Sequence, residues 1–213
     1  MKITFISDTH GRHNKITEDL SGGDMIIHAG DVSNRGLNSE IEDFLFWFSN
    51  LPYKHKIFIA GNHDFGFERV RSSREEGIRI PDGVTYLQDE SITIDGIKIY
   101  GSPWQPWFHD WAFNLYRGEA IAEKWNQIPD DVDILVTHGP PHGILDKTER
   151  LMNVGCEDLY KRVFDIKPKI HLFGHIHEGY GMREIDDVIF INASVLDAHY
   201  LYNNKPIDFE FSK

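Results

Sequence analysis

Five short segments constrain this 213-residue chain more than anything else in it: Asp8-Thr9-His10, Gly30-Asp31, Gly61-Asn62-His63-Asp64, Thr137-His138-Gly139 and Gly174-His175-Ile176-His177. Each pairs metal-ligand side chains with a turn residue, and each follows an apolar run of strand length. The runs are Ile3–Ser7, Met25–Ala29, Ile57–Ala60, Ile134–Thr137 and Ile170–Phe173. They are nearly continuous in hydrophobicity rather than alternating, the pattern of strands covered on both faces. In open α/β sheets, ligands gather just beyond the carboxyl ends of the strands. The five segments therefore converge on one pocket, suited to two divalent metal ions and an anionic ester.

The intervening sequence says how the strands are covered. Asn38–Asn50 carries Ile41, Phe44, Leu45 and Phe48 at helical spacing, with a Ser-x-x-acidic start at Ser39 and a stop at Pro52. Further helices are expected around Glu119–Gln127 and Cys156–Asp165. Ser91–Gly101 alternates about Asp95-Gly96, a hairpin turn signal, and Met182–Ile191 does so less cleanly about Asp186-Asp187. Ile207–Phe211 reads as a last strand. Strands alternating with helices in one half and hairpins in the other predict a four-layer αββα sandwich: two mixed sheets flanked by helices, with the dimetal site at the strand carboxyl ends. No repeat or linker divides residues 1–213, which read as a single domain.

Imidazole, carboxylate and amide carbonyl together suit Mn²⁺, Fe²⁺ or Zn²⁺, with Mg²⁺ a further candidate. A carboxylate can bridge two ions, and two ions roughly 3.5–4 Å apart can clamp a phosphate. Cysteine is missing from all five segments, which argues against a structural zinc site. The formal net charge of −12 disfavours nucleic-acid backbones and anionic membranes as partners. Bound cations would reverse that field locally. The single cysteine, Cys156, excludes an intramolecular disulfide and reads as a buried, passive thiol. With the N-terminus entering a strand at once and no bilayer-length apolar run, the expectation is a soluble, cytoplasmic protein.

Outside the motifs, Trp104, Trp107, Phe108, Trp111 and Phe113 form an aromatic insert. It reads either as a wall stacking on a nucleobase or as a satellite core under a long loop. Arg35 and His142 are candidate substrate contacts, with Trp107 as the aromatic one. Asn192 and Tyr180 flank the last motifs as candidate supports. His13, His28, His55, His109, His171 and His199 receive no role.

The ordered blocks resemble the signature of the calcineurin-like metallophosphoesterase superfamily, D-x-H, G-D, G-N-H-[DE], G-H and G-H-x-H, with the fourth reading His138-Gly139 here. Gly101-Ser-Pro-Trp-Gln-Pro-Trp-Phe, Thr137-His-Gly-Pro-Pro-His-Gly and Ile191-Asn-Ala-Ser are similar to the metallophosphoesterase-domain-containing family, over nearly the whole chain. Some animal members of that family replace the first histidine of G-H-x-H by glycine. Because His175 is present here, the resemblance implies a complete enzyme. It implies one metal at Asp8, His10, Asp31 and His177, and a second at Asp31, Asn62, His138 and His175. It also implies His63 as the catalytic histidine, with Asp64 orienting its ring, and a metal-bridging hydroxide as the attacking group.

The expected activity is hydrolysis of small phosphodiesters, cyclic or other nucleotides among them. A phosphomonoesterase or nucleotide pyrophosphatase is the alternative on the same scaffold. A non-catalytic metal-binding scaffold is the alternative of a different class. Only Arg35 and Arg117 could add the positive charge a monoester wants, which tilts the expectation toward diesters. Nucleic acid and membrane are not expected partners, and the oligomeric state is open.

Overall fold

The computed structural model describes residues 1–72 and 78–212. Among the described residues there are thirteen strands: β1 (Lys2–Ile6), β2 (Gly23–His28), β3 (Tyr53–Phe58), β4 (Val84–Tyr86), β5 (Glu90–Ile94), β6 (Ile97–Ser102), β7 (Gln105–Pro106), β8 (Asn114–Leu115), β9 (Ile134–Thr137), β10 (Ile170–Phe173), β11 (Gly181–Ile185), β12 (Val188–Asn192) and β13 (Ile207–Glu210). Four α-helices accompany them: α1 (Asn38–Ser49), α2 (Phe65–Ser72), α3 (Glu119–Trp125) and α4 (Glu157–Ile166).

The strands form two large mixed sheets, ordered β13-β1-β2-β3-β4 and β11-β12-β10-β9-β6-β5, with β7 and β8 as a small separate pair. In the first sheet β13 runs antiparallel to β1, and the remaining neighbours are parallel. The second has a parallel centre, β12-β10-β9-β6, closed by antiparallel hairpins at both edges. Those hairpins turn at Asp95-Gly96 and Asp186-Asp187, where all four residues have positive φ, as a tight two-residue turn demands.

Side-chain alternation assigns the layers. Along β1, Ile3 and Phe5 point into a core shared with Ile99, Ile134, Val136, Ile170 and Leu172 of the second sheet. Ile6 points the other way, into a core with Phe44, Leu45 and Phe48 of α1. Met25/Ile27 against Ile26, and Ile57 against Phe58, repeat the division on β2 and β3. On the second sheet Leu135, Phe173 and Phe190 face outward against Ile121 and Trp125 of α3 and Leu159 and Val163 of α4. Both sheets are thus buried on both faces, which is why the parallel strands read as unbroken apolar runs. Truncating one inter-sheet isoleucine to alanine should cost about 2–5 kcal/mol.

One local reading needs correction and another holds. Helix α1 starts at Asn38 with Leu37 as its N-cap, and Glu40 rather than Ser39 supplies the capping group, accepting from the Leu37 N–H at 3.2 Å and the Arg35 N–H at 2.9 Å. Cys156 is the N-cap of α4, where its Sγ accepts from the Leu159 N–H at 3.5 Å. Burial pushes its thiol pKa up, so it is the passive group the sequence suggested. Helix α2 and the β7–β8 pair had no clear pattern in the sequence.

Candidate active site

The carboxyl ends of β1, β2 and β3 on one sheet, and of β9 and β10 on the other, meet at a single polar floor. Asp8 and His10 arrive from β1, Asp31 from β2, Asn62 and His63 from β3, His138 from β9, and His175 and His177 from β10. Asp8, His10, Asp31 and His175 all have positive φ, between 44° and 66°. Non-glycine residues rarely hold that conformation, which costs of order 1–3 kcal/mol each. The close approach of the loops demands glycine at two points. Gly30 has φ +100, and a Cβ there would lie 2.6 Å from His138 Nδ1 and 2.7 Å from the Ala60 carbonyl. A Cβ on Gly174 would overlap Asp8 Oδ2 and Ser7 Oγ.

Ligand-type atoms converge in overlapping groups: Asp8/His10/His177, His10/Asp31/His63 and Asp31/His138/His175, each with its atoms within 4.8 Å of one another. Asp31 belongs to two of them and joins the floor's halves. Its Oδ2 lies 3.6 Å from His10 Nε2 and 3.4 Å from His138 Nε2. Its Oδ1 accepts from the His63 backbone N–H at 2.8 Å. Asp8 is fixed by the His175 N–H at 3.0–3.1 Å and the Ser194 hydroxyl at 2.8 Å.

Ring orientation is fixed from behind. His138 Nδ1 donates to the Ala29 carbonyl and His177 Nδ1 to the Asp197 carbonyl, both at 2.9 Å, so each Nε2 faces inward. His138 Nε2 then meets Asn62 Oδ1 at 2.9 Å, and His177 Nε2 meets His10 Nε2 at 3.3 Å. Paired acceptors at such distances need a proton or a cation between them. In the protein alone they hold protons: burial would lower the pKa of His138, but the Asp31 carboxylate pushes it up to about 9. Asp8 does the same for His177, also to about 9. Burial takes His10 down to about 4, and burial together with His138 takes His175 down to about 3. Burial opposes ionisation of Asp8 and Asp31, yet the surrounding imidazoles hold both well below the usual carboxylate range. His10 Nδ1 is buried without a partner among the described residues, at a cost of about 1–3 kcal/mol, and its Nε2 faces the Asp8 and Asp31 carboxylates. Inward-facing nitrogens around two carboxylates and an amide oxygen are a donor set that fits two divalent ions.

Asp64 differs from expectation. It does not touch the His63 ring; His63 Nδ1 donates instead to the Asn34 carbonyl at 2.7 Å. Asp64 is buried and accepts from the N–H groups of Val32, Ser33 and Gly61 and from the Ser33 hydroxyl, at 2.6–3.2 Å. The turn that carries it, closed by Asp64 N–H to the Gly61 carbonyl at 3.1 Å, points its carboxylate under the floor. Burial, reinforced by Asp31, raises its pKa to about 6.

A cavity of about 490 Å³ opens from the floor. Asp31, Asn62, His63 and His175 form its base, Trp107, Phe108, Trp111, Pro106 and Pro140 its wall, and Tyr200 one side. The aromatic insert therefore divides into a packed part and a part that lines the cavity. Phe113 is fully buried and Trp104 packs edge-on against it, with the indole N–H donated to Asp89 at 3.0 Å. Trp111 lies on the His63 ring with centroids 4.2 Å apart, and Trp107 stacks on Tyr116. Of the other sequence candidates, Arg35 is exposed and His142 half-buried, and neither lines the cavity. Arg117 does line it, but its guanidinium is spent on the Gly155 and Val154 carbonyls at 2.7 Å and on Glu157. Asn192 holds the last loop through the Ile176 carbonyl at 2.7 Å, whereas Tyr180 bonds to the Lys205 carbonyl at 2.8 Å, away from the floor.

Two contributors escaped the sequence reading. His28, buried on β2, accepts the Gly30 N–H at Nδ1 and bonds Thr9 Oγ1 through Nε2 at 3.0 Å, tying the first two motif loops together. Its signal was weak, a polar residue inside an apolar strand. Tyr200 had no signal at all.

The sequence model of calcineurin-like phosphoesterases matches residues 1–179, which contain all five motifs. The chain belongs to the calcineurin-like phosphoesterase family. Its relatives include metallophosphoesterase domain-containing protein 1 of Homo sapiens, 43% identical over 97% of this chain and 69% of that protein. The UPF0046 protein K07C11.7 of Caenorhabditis elegans is 38% identical over 100% of this chain and 76% of its own length. Among solved structures, TT1561 of Thermus thermophilus is similar in fold, with a TM-score of 0.61 at 15% identity over 98% of this chain and 97% of that one. Phosphopantetheinyl hydrolase of Mycobacterium tuberculosis has a TM-score of 0.59 at 16% identity, over 93% and 90%. Family membership makes the protein a phosphoric ester hydrolase and the floor its candidate dimetal site. Among the described residues no helix is long and apolar enough to cross a membrane.

Proposed function

We propose that residues 1–213 act as one catalytic unit, a dimetal phosphodiesterase for small diesters bearing an aromatic or nucleoside-like group. The observation that carries this is the mismatch between base and wall. A carboxylate–imidazole base opens into an aromatic cavity whose one arginine, among the described lining residues, is already bound by three acceptors. A monoester dianion would want a free cation there, whereas a diester carries one charge and a second, uncharged substituent that suits the wall.

Asp8, His10, Asp31 and His177 would hold one ion, and Asp31, Asn62, His138 and His175 the other. Mn²⁺ fits this mixed nitrogen and oxygen set, as do Fe²⁺ and Zn²⁺. Bound there, the ions supply Lewis-acid charge to the phosphoryl oxygens and a nucleophile at neutral pH. Asp31 sets the separation of the two half-sites through its contacts with His10 and His138. His63, its Nδ1–H anchored on the Asn34 carbonyl, presents Nε2 to the cavity and when protonated donates that proton to the leaving oxygen. Trp111 restricts the His63 ring from one side and, with Trp107 and Phe108, excludes water around the leaving group.

The test compares aryl diesters, cyclic nucleotides and matching monoesters with added Mn²⁺, before and after chelation. The expected order is aryl or nucleoside diesters well above monoesters, with activity lost to the chelator and restored by metal. Faster turnover of monoesters would replace this reading with phosphomonoesterase activity, and metal binding without turnover of any ester would leave a scaffold.

A further inference from the structure

Tyr200 stands outside the five motifs and beyond the residues that the family's sequence model matches, 1–179. It nevertheless sits on the floor. Its ring centroid lies 4.9 Å from that of His10 and 5.0 Å from that of His177, and it lines the cavity. Its φ is 60°, a conformation that a bulky residue adopts only when its surroundings impose it. Asp197 does the imposing. Its carbonyl accepts the Tyr200 N–H at 2.8 Å as well as the His177 ring at 2.9 Å. Its carboxylate accepts the N–H groups of His199 and Leu201, both at 2.9 Å, and the Asn203 amide at 2.5 Å. One tightly bonded loop thus orients a floor histidine and presents a tyrosine to the same cavity. Among the described residues the Tyr200 hydroxyl has no hydrogen-bond partner, although the loop around it is thoroughly bonded.

We propose that Tyr200 is a substrate-contacting residue whose phenol donates a hydrogen bond to a non-bridging oxygen of the phosphoryl group on the floor. The rings then form a continuous row, Trp111, His63, His10 and Tyr200, with successive centroids 4.2, 4.5 and 4.9 Å apart. Trp111 brackets the leaving-group end of that row and Tyr200 the end beyond it. A ring present only for packing would not need the left-handed backbone. Such strain, kept at one residue of a loop tied down through Asp197, is of the kind that clusters at ligand-binding sites.

This inference rests on the phosphoester reading above, so the test separates the two. Wild type, Tyr200→Phe and Tyr200→Gly, each loaded with Mn²⁺, are compared in diester kinetics and in the rise of unfolding temperature caused by inorganic phosphate. Thermal unfolding of the metal-free proteins completes the set. A hydrogen bond to a charged oxygen predicts that Tyr200→Phe raises KM about ten- to hundredfold and shrinks the phosphate-dependent rise. Tyr200→Gly should show the same losses, while in the metal-free protein the relief of the positive φ should offset part of the lost ring packing. Unchanged KM and an unchanged phosphate rise in Tyr200→Phe would overturn the proposal, as would a wild type that phosphate does not stabilise. If wild type binds phosphate yet hydrolyses no diester, the diester reading fails while the phosphate rise still decides the role of Tyr200.

Discussion

The floor and the wall of the cavity are built on opposite principles. The floor consists of side chains placed one to five residues beyond the ends of hydrogen-bonded strands, and its carboxylates and most of its imidazoles are buried. Its rings are anchored from behind by backbone carbonyls, and its loops are tied by His28, Asp64 and Asn192. The wall comes from the 105–114 insert, with Trp107 48% and Phe108 56% exposed. A ligand set that must meet ions within a few tenths of an ångström needs the rigidity of two sheets. A surface that selects a leaving group needs only shape and apolar area. Chemistry should therefore fail steeply when the floor is altered, and selectivity should drift when the wall is.

The steepest failure is expected at Asp31, which contacts both halves of the floor. Asp31→Asn keeps an oxygen for the His63 N–H but removes the charge beside His10 and His138. Losing metal forfeits several kcal/mol of transition-state stabilisation, so kcat/KM should fall at least about 10³-fold. Elemental analysis should show less than the wild-type metal content. Full metal occupancy with near-normal turnover would contradict the junction role.

His63→Ala is the next step down. Proton transfer is worth roughly 10²–10³-fold here, and the loss should be concentrated in kcat for alkoxide leaving groups. Metal content should stay at the wild-type level. That outcome matters because distance alone would admit His63 as a ligand: its Nε2 lies 3.9 Å from Asp31 Oδ2. Reduced metal content would move His63 from proton donor to ligand.

The floor was legible because its logic is local. A ligand residue beside a turn residue, directly after a buried strand, is a pattern the chain displays in order, and the unbroken apolar runs before the motifs already implied strands covered on both faces. What could not be read is where a side chain points once the turn has formed. Asp64 follows His63 in sequence, yet the Gly61–Asp64 turn sends the carboxylate beneath the floor to bind Val32, Ser33 and Gly61. Arg35 is near Asp31 in sequence, but Glu40 draws the 35–37 backbone into the start of α1 and leaves the side chain in solvent. The aromatic insert was ambiguous because its residues divide between core and cavity on a scale of two or three positions. Tyr200 was invisible because its place depends on Asp197, which bonds to a ring from a different strand.

Removing the ions should expose the electrostatic cost of the floor. His138 and His177 have folded-state pKa values raised to about 9, so their stabilisation is complete below the unfolded value of 6.5 and is lost as pH climbs from there to about 9. His10, His28, His171 and His175 are lowered, to between about 3 and 4, mainly by burial. Their contribution is present above 6.5 and is lost as pH falls below it. Asp64, raised to about 6, opposes this acid limb between pH 3.8 and 6 but is one group against four. Metal-free protein should therefore be most stable near pH 6.5 in urea titrations, with losses on both sides. Saturating Mn²⁺ should flatten the alkaline limb, because the ions take the positions of the His138 and His177 protons. An alkaline limb that persists with metal would mean those two rings are not ligands.

The smallest effects belong to the wall. Trp107→Ala should raise KM for an aryl diester about three- to tenfold, the worth of one aromatic contact, and leave a dialkyl ester and kcat unchanged. Arg35→Ala, on the exposed side of the 31–37 loop, should alter neither substrate by more than about twofold, as for ordinary surface positions. The pair sharpens the division between floor and wall: Trp107 sets selectivity without touching chemistry, while Arg35 sets neither. If Trp107→Ala lowered kcat for both esters alike, the wall would be part of the catalytic apparatus through the Trp111–His63 stack. The rigidity that protects the floor would then extend into the loops that cover it.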